Sequence, residues 1–248
     1  MPHDDASPAP RRSVHDDPPI ALIQSSSLPA LVQRELTRQI LAGAFPSGTK
    51  LNEVDVAARL GVSRGPVREA FRALEESGLV RFEKNRGVFV RLLSLEEADE
   101  IFELRAVLDA FAGRRAAKNA TPQDIRDLEA LVDRMGLAAA REDIDDYFTL
   151  NLDFHDRIVA LAGNAKLAQL YRRLVNELNL YRRASLDQAG TLPLSVAEHR
   201  AIVESIAAGR AAAAGRLLHE HVLVSRERAH RARDGQAGRH ARRARRNG

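Results

Sequence analysis

The sequence predicts a mainly α protein in two parts: an N-terminal winged helix-turn-helix with a small β-hairpin wing, and a C-terminal all-helical antiparallel bundle. Three observations carry that prediction. Helical periodicity, caps and breakers divide Pro29 to Gly78 into three short helices. Two apolar runs joined by KNRG follow at once. From Ser94 onward strand signals vanish while helix-capping signatures recur.

A first helix fits Pro29 to Leu41, with Leu31, Val32, Leu36 and Ile40 on one stripe and Gly43 beyond its end. FPSGTKL, with Pro46 and Gly48, then reads as a turn. Asn52 stands as an N-cap, Asp55 where a capping-box acid belongs, and Leu51 and Val56 at the two staple positions, so a second helix runs from about Glu53 to Leu60. After GVS turns the chain, Ser63 can cap a third helix whose first turn holds Pro66, where a missing N–H costs little, and which ends near Ser77 with Gly78 as its C′ residue. Val80 to Glu83 and Val88 to Leu92 form the hairpin, with Gly87 supplying the tight turn.

Capping patterns at Ser94 (SLEE), Thr121 (TPQD) and Ser195 (SVAE) organise the rest. They place helices near 95–119, 122–140, 144–161, 165–186, 195–208 and 210–231. The resulting divisions are a disordered arm over 1–24, rich in Pro, Asp and Ser, the winged unit over 25–92, the helical domain over 93–231, and a basic disordered tail over 232–248.

Composition narrows the chemistry. A hydrophobic share of 44% supports real cores, and the absence of Cys removes disulfides and thiolate ligands, leaving His, carboxylate or amide groups for any metal. No run approaches the ~20 apolar residues of a membrane span, and the N-terminus lacks a signal-peptide core, so a cytoplasmic protein with no membrane partner is expected. The net charge of +4 is uneven, because the arginine-rich end dominates it and adds nonspecific attraction to a polyanion.

Within the third helix Val67, Ala70, Phe71 and Leu74 must face the core, which leaves Arg64, Gly65, Arg68 and Arg72 outward. Arg64 and Arg68, four apart, point to one groove. A planar guanidinium can take O6 and N7 of guanine together or clamp phosphates. Arg86, at the hairpin tip, can reach the adjacent minor groove or backbone. A solvated arginine face is the alternative, but caps, turn and hairpin arrive in the order a DNA-reading unit requires.

The stretch LNEVDVAARLGVSRGPVREAFRALEESGLVRFEKNRGVFV resembles the DNA-binding domain of GntR-family transcription regulators, and the helical remainder resembles their FadR-type, or FCD, effector domain. The likeness covers roughly residues 28–230. It implies that Arg64 and Arg68 are base and phosphate contacts, with the wing around Asn85, Arg86 and Gly87 at the minor groove. Where FadR itself has another DNA-contacting Arg on the second helix, this chain has Val54, which implies a different operator. A homodimer on a pseudo-palindromic double-stranded operator follows, and an enzyme is not expected.

On the helix near 144–161, Phe148, Leu152, Ile158 and Val159 define the expected buried stripe, and Asn151 and His155 fall on it at i and i+4. His199 lies among Val196, Ile202, Val203 and Ile206, and His221 among Leu217, Leu218 and Val222, while His219 is off its stripe. A lone His on an apolar face is commonly a core residue satisfied by a carbonyl. Three in one bundle, with an amide, are costly to bury unless something shared satisfies them, and a divalent cation does so. Zn²⁺ suits this donor set, with Ni, Mn or Fe as alternatives. The resemblance implies the same set, since FCD domains share a D/N-x-x-x-H … H … H pattern matching Asn151, His155, His199 and His221. Neutral ligands leave the ion's charge uncompensated, so the expected effector is a small organic carboxylate. Arg105 falls on the inward stripe of Ile101, Leu108 and Ala112, where it either pairs with Asp109 or binds that ligand. A metallohydrolase is the rival reading, but no general base stands beside the ligands.

Overall fold

A computed structural model describes residues 27–182 and 191–246, with side chains placed over 27–181 and 191–231. The expected arm over 1–24 lies outside the described residues, as does the part of the helix expected over 165–186 that follows Arg182.

The N-terminal unit comprises α1 (Leu28–Leu41), β1 (Lys50–Leu51), α2 (Glu53–Leu60), α3 (Arg64–Glu76), β2 (Val80–Glu83) and β3 (Gly87–Val90). Val32, Leu36 and Ile40 of α1 meet Val56, Val67, Phe71 and Leu74 in one core. Leu31, expected on that stripe, is 47% exposed. The buried residues repeat every four positions, and Leu31 sits about 100° round the helix from Val32. The turn over FPSGTKL holds a strand the sequence does not announce: Lys50 and Leu51 pair with Phe89 and Val88, giving an antiparallel sheet ordered β1-β3-β2. Asn52 caps α2 by accepting from the Val54 N–H, at N2 and not at N3 where the capping-box reading put it. Ser63 makes no side-chain cap bond to α3. Pro66 occupies N3 and has no N–H to offer it.

The helical domain comprises α4 (Leu95–Asn119), α5 (Pro122–Ala140), α6 (Ile144–Leu161), α7 (Ala165–Arg182), α8 (Leu192–Ala207) and α9 (Ala211–Arg246). Full capping boxes open α4 at Ser94 and Glu97 and α5 at Thr121 and Asp124. The start expected at Ser195 is displaced: α8 begins at Leu192, with Pro193 in its first turn, and Ser195 is buried inside the helix. The α9 backbone continues through 232–246, where a disordered tail was expected.

Helices α4 and α9 run antiparallel and very close. A Cβ on Gly113 would stand 3.0 Å from the Ala214 carbonyl oxygen, and one on Gly215 3.0 Å from that of Ala110, so only glycine permits this approach. Farther along, Arg226 pairs with Glu103 and His230 with Asp99. The two domains are joined by α7: Leu180 packs against the winged-unit core, and buried Glu177 takes Arg91 at 3.0 Å.

Candidate DNA-reading surface and metal centre

Burial of Val67, Ala70, Phe71 and Leu74 turns Arg64, Gly65, Arg68 and Arg72 outward on α3, as the periodicity predicts. Arg68 is held bidentately by Glu53 of α2, from Nε at 3.0 Å and a terminal nitrogen at 2.7 Å. Sequence reasoning missed Glu53, whose only signal is an acid in the first turn of the preceding helix. At the wing, Lys84, Asn85 and Arg86 form a three-residue turn closed by the Glu83–Gly87 pair. Asn85 is left-handed at φ 63° and Gly87 has φ 111°, so the tight turn rests on both residues and not on the glycine alone. Arg86 pairs with Glu83 and stacks over Phe89, 5.4 Å from the ring centre.

Inside the bundle, His155 of α6, His199 of α8 and His221 of α9 converge, all buried. One ligand atom from each lies within 4.8 Å of the others. Tetrahedral coordination by bonds of ~2.1 Å needs separations near ~3.4 Å, so a small closure would complete a site. Among the described residues, neither ring nitrogen of His199 has a hydrogen-bond partner, although the residue has zero exposure. A buried imidazole with both nitrogens unmatched is costly, and an ion held among the three rings removes that cost at one of them. Asn151 lies one turn before His155 on the same buried face. That face is Tyr147, Leu150, Asn151, Phe154, His155, Ile158 and Val159, whereas the expected Phe148 and Leu152 are half-buried. Phe154 meets His199 edge-on at 4.7 Å.

The outer nitrogens of two of these histidines are fixed by carboxylates. Asp109 stands 3.1 Å from His155 Nδ1, and Glu198 2.7 Å from His221 Nδ1, which directs each Nε2 to the interior. Each carboxylate has an arginine behind it. Asp109 accepts from Arg105 Nε at 3.1 Å and from the Tyr171 hydroxyl at 3.4 Å, and Glu198 accepts from Arg228 at 3.1 Å. Of the two readings of Arg105, the internal pair with Asp109 is formed. Sequence reasoning did not find Tyr171, Glu198 or Arg228, which carry no motif and meet only in three dimensions.

Burial, with the repulsion that a protonated His221 or His155 would add, holds His199 well below the ordinary imidazole range. Burial also lowers His221, with Glu198 opposing it. These rings are therefore neutral, as metal ligation requires. Burial pushes the Asp109 carboxyl up, with Arg105 pulling against it. Burial works against the Arg105 charge too, but Tyr171 and Asp109 overcome it and raise its pKa. Arg105 thus cancels or outweighs Asp109, and the cluster holds no surplus negative charge.

Residues 30–90 match the bacterial regulatory proteins of the gntR family, and residues 100–223 match the FCD domain. The chain is 28% identical over 191 residues to the HTH-type transcriptional repressor RspR of Escherichia coli K12, covering 77% of this chain and 84% of that one. It is 31% identical over 192 residues to the "Probable D-xylose utilization operon transcriptional repressor" of Paenarthrobacter nicotinovorans, covering 76% and 83%. Its fold is similar to that of E. coli McbR/YncC, with a TM-score of 0.74 at 22% identity over 83% of this chain and 98% of the other. These relatives are regulators of transcription and not enzymes. With a winged DNA-reading unit followed by an FCD domain, the chain belongs to the GntR family of DNA-binding transcription regulators.

Proposed function

We propose that this regulator is switched by a small organic carboxylate bound beside a divalent transition ion, Zn²⁺ by preference, that His155, His199, His221 and Asn151 would hold. The observation that carries this reading is His199, wholly buried with two unmatched nitrogens between two other imidazoles. The ion would supply a positive centre in a low-dielectric bundle, where an anion gains far more than in water. The arginines behind Asp109 and Glu198 leave that charge uncancelled. Arg105, held by Asp109 and Tyr171 through Nε, offers its terminal nitrogens as a fork for the effector's carboxylate.

Arg64, Gly65, Arg68 and Arg72 read the major groove of the operator, with Asn85, Arg86 and Gly87 alongside it. Leu104, Val107 and Phe111 form an exposed apolar face on α4, which supports a homodimer on a pseudo-palindromic site.

The test is metal analysis of wild type and His199→Ala after reconstitution with Zn²⁺, followed by operator titration against hydroxy, keto, sugar and aromatic acids with and without chelator. One ion per wild-type chain, its loss in His199→Ala, and a chelator-sensitive response to one acid are expected. No ion after reconstitution, or a response unchanged by chelator, overturns the reading.

A further inference from the structure

The final helix ends in a concentration of positive charge. Residues 232–248 contain Arg233, Arg239, Arg242, Arg243, Arg245 and Arg246 against the single acid Asp234. They contribute +5 to a formal net charge of +4, so the rest of the chain stands at −1. All of the protein's net positive charge therefore resides at this end.

The fold decides where that charge is delivered. Along α9, Gly215 lies against Ala110 and Arg114, Arg226 pairs with Glu103 at 3.5 Å, and His230 pairs with Asp99 at 2.8 Å. Each step toward the end of α9 is thus a step toward the start of α4. Helix α4 begins at Leu95, just beyond the wing strand that ends at Val90. By His230 the last helix has come level with the first turns of α4, and its backbone continues to Arg246. At 1.5 Å per residue those remaining turns span ~24 Å, running out of the bundle on the side where the winged unit is attached.

We propose that the arginine-rich end of α9 is a second DNA-contacting element, which neutralises backbone phosphates of the duplex flanking the operator. The ligand is the phosphate backbone and not base edges: charge and fork geometry suit phosphate oxygens, and the role is to add affinity and register to a site read by α3. It rests on the winged unit being the sequence reader, and the experiment separates the two.

The test uses the full chain with Arg239→Gln, Arg242→Gln, Arg243→Gln, Arg245→Gln and Arg246→Gln combined, and a matching set with Lys at the same positions. The probe is a duplex selected by wild type from random-sequence DNA, made as the bare site and with flanks of about 15 base pairs on each side, which exceeds the ~24 Å reach. Wild type should prefer the flanked duplex about tenfold at low salt, with a salt dependence steeper by roughly 0.9 per phosphate engaged. The Gln set should lose that preference and the Lys set should keep it. Arg64→Ala should weaken both duplexes alike, which marks failure of the operator-reading unit separately. An equal flank preference in wild type and the Gln set overturns the proposal, and so does a Gln set weakened equally on both duplexes.

Discussion

Asn176 of α7 donates from Nδ2 to the main-chain carbonyl of Ser77, 3.1 Å away, at the residue that caps the recognition helix α3. The FCD domain therefore grips the winged unit at the C-terminus of α3. Gly78, the next residue, has φ +79°, and a Cβ there would lie 2.6 Å from Glu177 Cγ. Gly78→Ala should destabilise the protein by more than about 1 kcal/mol, since both the backbone conformation and the space oppose it. Urea unfolding followed by circular dichroism would show a lower midpoint. An unchanged midpoint would mean that α7 does not press on this turn.

Arg64→Ala and Arg68→Ala should each weaken operator binding by about 1 to 3 kcal/mol for every base interaction removed, without unfolding the chain. Because Arg68 is tied to Glu53 in the free protein, Glu53→Gln should leave the fold intact and strengthen binding to arbitrary DNA by removing an acid beside phosphate. Fluorescence anisotropy on operator and scrambled duplexes reads both effects. Normal operator binding by both arginine variants would remove α3 as the reader.

Glu198→Gln should lower metal affinity by about 10- to 100-fold, because a neutral amide supports the His221 ring less well than a carboxylate. Competition with a chromophoric chelator gives the number. Equal affinity in wild type and variant would show that Glu198 serves Arg228 alone.

Leu104→Glu combined with Val107→Glu should leave a folded monomer, since both side chains are more than half exposed on α4 and play no part in the chain's own core. Light scattering after size exclusion distinguishes the outcomes. A variant that still dimerises at micromolar concentration places the interface elsewhere.

The element boundaries were legible where local chemistry sets them. Ser94 with Glu97 and Thr121 with Asp124 are reciprocal side-chain and backbone bonds within four residues, so the sequence alone predicts both starts. Strand β1 was not legible, because Lys50 and Leu51 become a strand only by pairing with Phe89 and Val88 far along the chain. The three histidines stood out as costly residues on apolar stripes. Their supporting residues did not, since Glu198 reads as an ordinary solvated acid until α9 brings His221 and Arg228 to it. Arg105 was readable as buried, but its bond to Tyr171, 66 positions away, was not.

The glycine contact between α4 and α9 makes these two helices a single lever arm. With backbones this close at Gly113 and Gly215, neither helix can slide or roll without forcing main-chain atoms together, so the pair must tilt as one rod. Helix α4 has 25 residues. At 1.5 Å per residue it is ~37 Å long, so each degree of tilt about its far end carries its start by roughly 0.6 Å. His221 on α9 and the start of α4, just beyond the wing strand, thus lie along one close-packed helix pair, and a tilt too small to disturb the core at one end becomes a displacement of ångström size at the other.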